Sequence, residues 1–566
     1  MSTLLLLSLT PLLAGFPQAP EASAEPPLVT LLAEEIEYSM QELAAEDGTK
    51  PYYLSYSVTD TVSATIQARL GALYADSERR ERLLDLDLRV GDYQLDSTHP
   101  IRGGGGFGGG FPAGGGAAIA LDDDPDAIRF ALWQATGAAF DAAYERFRQV
   151  EANQKTMVEE EHQAADFSRE HPVSFFEDEI ALQIDAGVWS ERVRRVSALA
   201  KKYPLIYGSS VSVAGTAENR LLASSEGSRL RTGRKLLRVV LSASTRGEDG
   251  MELEQSYIFN AASEDRLPTE QEMAAAFQGV IDQVLALRQA PVVEPYTGPA
   301  ILLNRASGVF FHEIFGHRIE GHRQKDVSEG QTFTNMVGQA VLPAFLSVVD
   351  DPTLASFRGE DLRGFYRFDD EGIPARRVEL IRDGILQTFL MSRSPLPGFD
   401  RSNGHGRREP GRPAVSRQGN LMVESTRAVP FEELRRMLIE ECRKQQKPYG
   451  FLFEDISGGF TSTSRGGPQA FKVLPIVVRR IWADGRPDEL VRGVDIVGTP
   501  LSCFSKILCT GDDPAVFNGT CGAESGWVPV TATSPSILVE EIEIERRERS
   551  QERLPILPSP IAPEQA

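Results

Sequence analysis

The segment Phe311-His312-Glu313-Ile314-Phe315-Gly316-His317-Arg318-Ile319-Glu320-Gly321 sets two imidazoles and a carboxylate side by side. Histidine is scarce here, with 7 in 566 residues, yet His312, His317 and His322 cluster in this one stretch. Two histidines bracketing a glutamate form a donor set for a metal ion, zinc above all. Glu313, next to the first ligand, suits the general base that deprotonates a metal-bound water. The familiar zinc helix separates its histidines by four residues and so places both on one face. Here the separation is five, which on a regular helix turns the second imidazole by roughly 140° from the first. A π-type turn would restore the alignment, and Gly316 is a natural place for such a distortion. The sequence therefore predicts an irregular helix with a bulge or kink at Phe315–His317.

Zinc held by two imidazoles still needs a third protein ligand. Glu320, His322 and Cys521 are the candidates; Cys521 lies in Gly519-Thr520-Cys521-Gly522, a turn able to present a thiolate. Glu320 has a second possible role, orienting an imidazole from behind the metal. Spacing alone leaves these alternatives open.

Around this segment the chain reads as α+β. Its N-terminal part shows antiparallel strands and long helices, and its C-terminal part is strand-rich and barrel-like, with the histidine helix inside it. Leu32, Ile36, Met40 and Leu43 recur at helical spacing, whereas Leu54, Tyr56, Val58 and then Leu84, Leu86, Leu88, Val90 alternate as strands do. Asp124 before Pro125 and the Thr269–Glu272 capping box open two further helices. Short alternating runs between residues 205 and 259 predict an antiparallel meander. Pro291, Pro295 and Pro299 mark a boundary. Asp383-Gly384 predicts a hairpin turn. The expected division is a leader over 1–24, an α+β domain over 26–100, a glycine-rich loop over 101–120, a helix and antiparallel-sheet domain over 121–290, a C-terminal domain over 297–545 and a disordered tail over 546–566.

Residues 1–24 read as a signal peptide: a short apolar run ending in Ala22-Ser23-Ala24, without a basic residue ahead of it. They predict export, periplasmic in a bacterium, against a cytoplasmic alternative. No other stretch approaches the ~20 apolar residues of a membrane span. The net charge of −22, from 81 acidic against 59 basic residues, disfavours direct nucleic-acid binding, which rests on clustered Lys and Arg. Four cysteines in a chain this long form no disulfide framework.

Several segments in order resemble the TldD/PmbA family of metallopeptidases, and its catalytic TldD-like branch in particular. They are 311–321, Asp369–Pro374 with Leu380–Leu386, Asn403–Glu409 with Arg417 and Asn420, Val491–Gly498, and Gly519–Val530. The resemblance spans roughly residues 300–545. It implies that His312, His317 and Cys521 hold Zn²⁺ and that Glu313 is the base. It also implies hydrolysis of unfolded or extended peptides by a homo- or heterodimer with a homologous subunit. Arg407, Arg408, Arg417 and Asn420 are expected either to contact substrate backbone or a carboxylate, or to pair with nearby acids. A non-catalytic scaffold subunit of the same kind of complex is the alternative, and the retained Glu313 weighs against it, because a structural metal needs no base.

Overall fold

The structure, a computed structural model, describes residues 24–101, 116–155, 164–326, 329–465, 471–498 and 503–547, with Leu557 and Pro560. The expected leader up to Ser23, the glycine-rich stretch up to Ala113-Gly114-Gly115 and most of the expected tail lie outside these residues.

Helix α1 (Pro27–Glu42) buries Leu28, Leu32 and Ile36, the stripe its spacing predicts. Helix α2 (Pro125–Gln154) starts where Asp124 accepts a hydrogen bond from the Ala127 N–H at 2.8 Å. Helices α3 (Ala186–Ser197) and α4 (Glu270–Gln289) follow, and α4 opens with the Thr269–Glu272 capping box in place. All four pack on one seven-stranded sheet built mainly from Pro51–Arg69, Ala72–Val90, Gly208–Ser224, Arg229–Arg246 and Glu252–Ala261. The last three form the meander read from the sequence. Strands from 26–100 and from 121–290 thus share a sheet: Pro51–Arg69 pairs with Gly208–Ser224 across more than a hundred intervening residues. No single-sequence period reports such a pairing, so the two segments, expected as separate domains, form one layer. Val239 and Leu241 pack with Phe277, Ile281 and Val284 beneath α4, so the alternate residues Arg238 and Val240 take the opposite face of the sheet.

Beyond the proline cluster, strand Tyr296–Leu302 begins a second body. It pairs with Tyr449–Thr461 on one side and Ile537–Arg546 on the other, and these join through Phe471–Trp482 and Val494–Gly498. The ring is a closed barrel, which removes exposed strand edges. Its strands are apolar on both faces. Ala300, Leu302, Phe451 and Phe453 enter the main core, while Ile301 and Leu452 pack under the helix Phe431–Lys444. Helix α5 (Asn304–Ile314) leaves strand Tyr296–Leu302 and buries every residue from Ala306 to Ile314. A six-stranded sheet, ordered from Ile385–Leu386 through Val378–Arg382, Leu346–Asp350, Asn420–Ser425 and Gly526–Ser534 to Ala515–Ala523, flanks α5. The Asp383-Gly384 turn closes its first hairpin, both residues having positive φ (49° and 81°) as a type I′ turn requires.

The acidic turn Asp369–Pro374 fastens the two bodies. Asp369 accepts backbone N–H groups of Glu371, Ile373 and Gly406 at 3.0, 2.9 and 2.9 Å. Glu371 accepts the N–H of Arg393 at 2.8 Å. The Arg393 guanidinium crosses to the N-terminal body, pairs with Glu226 at 2.8 Å and stacks on Phe167. Burial, and secondarily the Asp369 charge, push the Glu371 carboxyl up to about 8. A carboxyl whose folded pKa is raised favours the folded state below its ordinary value of 4.5 and loses that contribution as pH rises toward 8. Wild-type stability in urea should therefore fall between pH 5 and 8, and Glu371→Gln should flatten that slope; equal slopes would refute the neutral carboxyl.

Candidate metal centre

Helix α5 ends at Ile314. Phe315 departs from helical geometry (φ −100°, ψ −53°), and Gly316–Arg318 forms a 3₁₀ turn. The irregularity lies where the five-residue spacing places it, but it is a tighter turn and not the wider π turn. Breaking the helix brings the imidazoles of His312 and His317 to a 5.1 Å centroid separation at 76° between planes. Gly316 is required by a close approach: a Cβ there would run into the Gln418 side-chain amide. That amide also donates to the His312 carbonyl at 3.4 Å. Gly308 lies against strand Gly526–Ser534, where an added Cβ would sit 3.2 Å from the Ala532 carbonyl oxygen.

Cys521 comes from strand Ala515–Ala523, the outermost strand of the six-stranded sheet. One ligand atom each from His312, His317 and Cys521 lies within 4.8 Å of the others, and all three residues are buried. No other group of this kind occurs among the described residues. The Cys521 Sγ is 3.4 Å from His317 Nε2. The other His317 nitrogen, Nδ1, bonds to Glu320 Oε2 at 3.1 Å. That contact fixes the ring so that Nε2 faces the thiol. The buried His312 Nδ1 has no hydrogen-bond partner among the described residues. A soft thiolate, two imidazoles and an orphaned ring nitrogen fit a zinc ion.

The electrostatics pair a thiolate with a charged imidazole, whose Nε2 proton a metal ion would displace. Burial opposes ionisation of Cys521, but the His317 and His312 imidazoles outweigh it and hold the thiol's pKa well below its usual value. Burial also opposes charge on His317, yet Cys521 and Glu320 raise its pKa well above the ordinary range. Glu313 Oε2 lies 3.9 Å from His317 Nε2. Burial raises its carboxyl's pKa, and the two imidazoles only partly offset that. Gly459 lets strand Tyr449–Thr461 pass over Glu313, an added Cβ there meeting Glu313 Cγ at 2.8 Å.

The remaining sequence-predicted residues fall elsewhere. His322 faces Glu524 in a short contact and is not in the donor cluster; Glu320 is not in it either. Glu320 links His317 to Arg323 (2.8 Å) and lies 3.4 Å from the Arg417 Nε. Of the four residues expected at substrate, Arg407, Arg417 and Asn420 are buried and Arg408 is half-buried. Arg417 donates to the Cys521 carbonyl and to Ser525 Oγ, both at 2.9 Å. It therefore ties the cysteine strand to the glutamate behind His317. Arg407 donates to the Gln418 carbonyl and stacks on Tyr366. Arg408 pairs with Asp85 at 3.2 Å. The Asn420 amide donates to the Asp351 and Leu354 carbonyls at 2.9 and 3.0 Å. None of the four lines the cavity of about 640 Å³ that opens over His312, Glu313, His317 and Cys521. Its far wall includes Arg238, Ile258 and Asn260 from the N-terminal sheet, residues that no local motif in the sequence marks.

Gly316→Ala should lower stability by about 1–3 kcal/mol through overpacking, with Gln418→Ala restoring part of the loss in the double variant. Urea unfolding of the single and double variants checks this; additive losses would show that the two residues do not meet.

Residues 295–546 match the family model described as PmbA/TldA metallopeptidase C-terminal domain. A metalloprotease of Archaeoglobus fulgidus is 29% identical over 233 residues, 41% of this chain and 49% of that protein. A zinc metalloprotease TldD homolog of Saccharolobus solfataricus is 23% identical over 276 residues, 47% of this chain and 57% of its own length. The chain thus spans about half the length of the curated relatives it matches. The fold is that of TldE from Thermococcus kodakarensis, with a TM-score of 0.61 and 15% identity over 91% of this chain and 100% of that one. Residues 295–546 thus match the C-terminal domain of the PmbA/TldA metallopeptidases, in a chain whose fold is like that of TldE.

Proposed function

We propose that this protein is a zinc-dependent peptidase acting on unfolded or extended peptides, with His312, His317 and Cys521 as the metal ligands and Glu313 as general base. The observation that carries it is the convergence of those three donors in one buried cluster beside Glu313, on the wall of a sizeable cavity. The name of the Saccharolobus solfataricus relative supports zinc. Zinc would supply a Lewis acid for the scissile carbonyl and acidify a water at this position. Glu313, buried and raised in pKa, takes up a proton at its carboxylate and returns it to the leaving amine. Glu320 holds the proton on His317 Nδ1 and keeps the ring aimed at Cys521. Arg417 keeps the Cys521 strand in register with that glutamate.

The cysteine strand Ala515–Ala523 is a sheet edge. An edge suits an extended peptide added as a further strand, a mode that reads the main chain more than side chains. The likeness to TldE supports a partner of the same family, either a second copy or a homologue. No described helix is long and apolar enough to cross a membrane. Export through the 1–24 leader is part of the proposal, and a mature N-terminus at Glu25 in protein recovered from its native compartment would carry it; an intact Met1 would overturn it.

The test is metal content together with proteolysis of an unfolded substrate. Purified protein should hold about one zinc per chain by mass spectrometry and lose activity to a chelator. Cys521→Ser should lose most of the zinc. Glu313→Gln should keep it while kcat/KM falls by about 10²–10⁴-fold. A Glu313→Gln protein as active as wild type would sink the assignment.

A further inference from the structure

The cavity over the metal cluster is walled by both bodies, and its charged residues differ in how they are satisfied. Arg323 is saturated by Glu320, Glu329 and Glu524 at 2.8, 2.9 and 3.0 Å. Glu524 is engaged by Arg323 and His322. Arg238 has no carboxylate partner among the described residues, in a chain whose acids outnumber its bases by 81 to 59. Burial alone draws its guanidinium's pKa down, with no neighbouring acid to restore it.

The sheet register sets a second donor beside it. Arg238 and Asn260 are direct cross-strand partners, so both side chains leave the same face toward the cavity. The Asn260 Oδ1 accepts from Arg363 at 3.1 Å, which turns the amide so that its NH₂ is the free end. Arg363 is itself held by its backbone N–H to Asn518 Oδ1 at 3.0 Å. Burial and the Arg238 and Arg234 charges draw Arg363 down to about 9. The N-terminal wall is thus built of donors and positive charge, facing a metal cluster on the C-terminal wall. An uncompensated, partly buried cation of this kind calls for an anion that arrives with the ligand.

We propose that Arg238 and Asn260 form a carboxylate-recognition subsite of the cavity, which selects peptides carrying a carboxylate at the position bound against the N-terminal sheet. The inference rests on the peptidase reading. It makes the N-terminal body a specificity element of the metal site on the other body. The carboxylate is either the peptide's own C-terminus or an Asp or Glu side chain.

Binding to the zinc-loaded Glu313→Gln protein separates this from hydrolysis. One short neutral peptide is titrated with a free C-terminus, with a C-terminal amide, and as the amide bearing one internal glutamate. The free acid should bind about ten- to a hundredfold more tightly than the neutral amide, and Arg238→Gln should erase the difference. Recovery of affinity by the glutamate-bearing amide would assign the subsite to acidic side chains; failure to recover would assign it to the chain terminus. Asn260→Asp, which adds a negative charge to the same wall, should weaken the free acid selectively and serves if Arg238→Gln does not fold. Equal binding of acid and amides, unchanged by either substitution, would overturn the inference. Wild-type hydrolysis of the same peptides is measured alongside: no cleavage of any form would overturn the peptidase reading and leave the binding result to decide the subsite.

Discussion

Five residues separate His312 from His317, and a regular helix cannot aim side chains at that spacing toward one point. The chain resolves this by ending α5 at Ile314 and completing the next turn as 3₁₀. Everything around the site answers to that break. Gly316 is small because Gln418 occupies the space a Cβ would need. Gln418 meets the His312 carbonyl, and the helix is buried all round, so the barrel and not intrinsic propensity holds it. A break in an exposed helix would fray; here core residues such as Phe310, Phe311 and Phe315 fix both sides of it.

Behind the two imidazoles runs a chain of buried polar contacts from His317 through Glu320 to Arg323 and Arg417, ending at the Cys521 carbonyl. Buried charges of this kind are tolerated only when paired and hydrogen-bonded. Arg417, from one of the motif segments, is taken up in this network. Its guanidinium holds the Cys521 backbone. A cavity cation without a carboxylate partner among the described residues comes instead from the other body, where Arg238 and Asn260 sit opposite one another on neighbouring strands.

Much of the local structure was legible in the chain. The Asp124 cap, the Thr269–Glu272 capping box and the Asp383-Gly384 turn each rest on contacts within four residues, so the sequence carries their full cause. The irregularity at Phe315–His317 was equally local, because spacing alone excluded a straight helix. Its form was not, since a 3₁₀ or a π turn satisfies the same spacing and the packing of Gln418 against Gly316 selects between them.

By itself, then, the sequence determined an α+β chain with a histidine–glutamate segment that must distort to act as a unit. Only the tertiary structure decided that residues 26–100 and 121–290 share one sheet and that Arg407, Arg408, Arg417 and Asn420 engage other protein groups away from the cavity; it also sets Cys521, which the resemblance implied, beside the histidines. The reason is range. Caps and turns are closed by neighbours along the chain, whereas strand pairing and the donor set join residues some two hundred positions apart, such as His317 and Cys521. Their encounter is fixed by the register of sheets and the closure of the barrel, which no local period encodes.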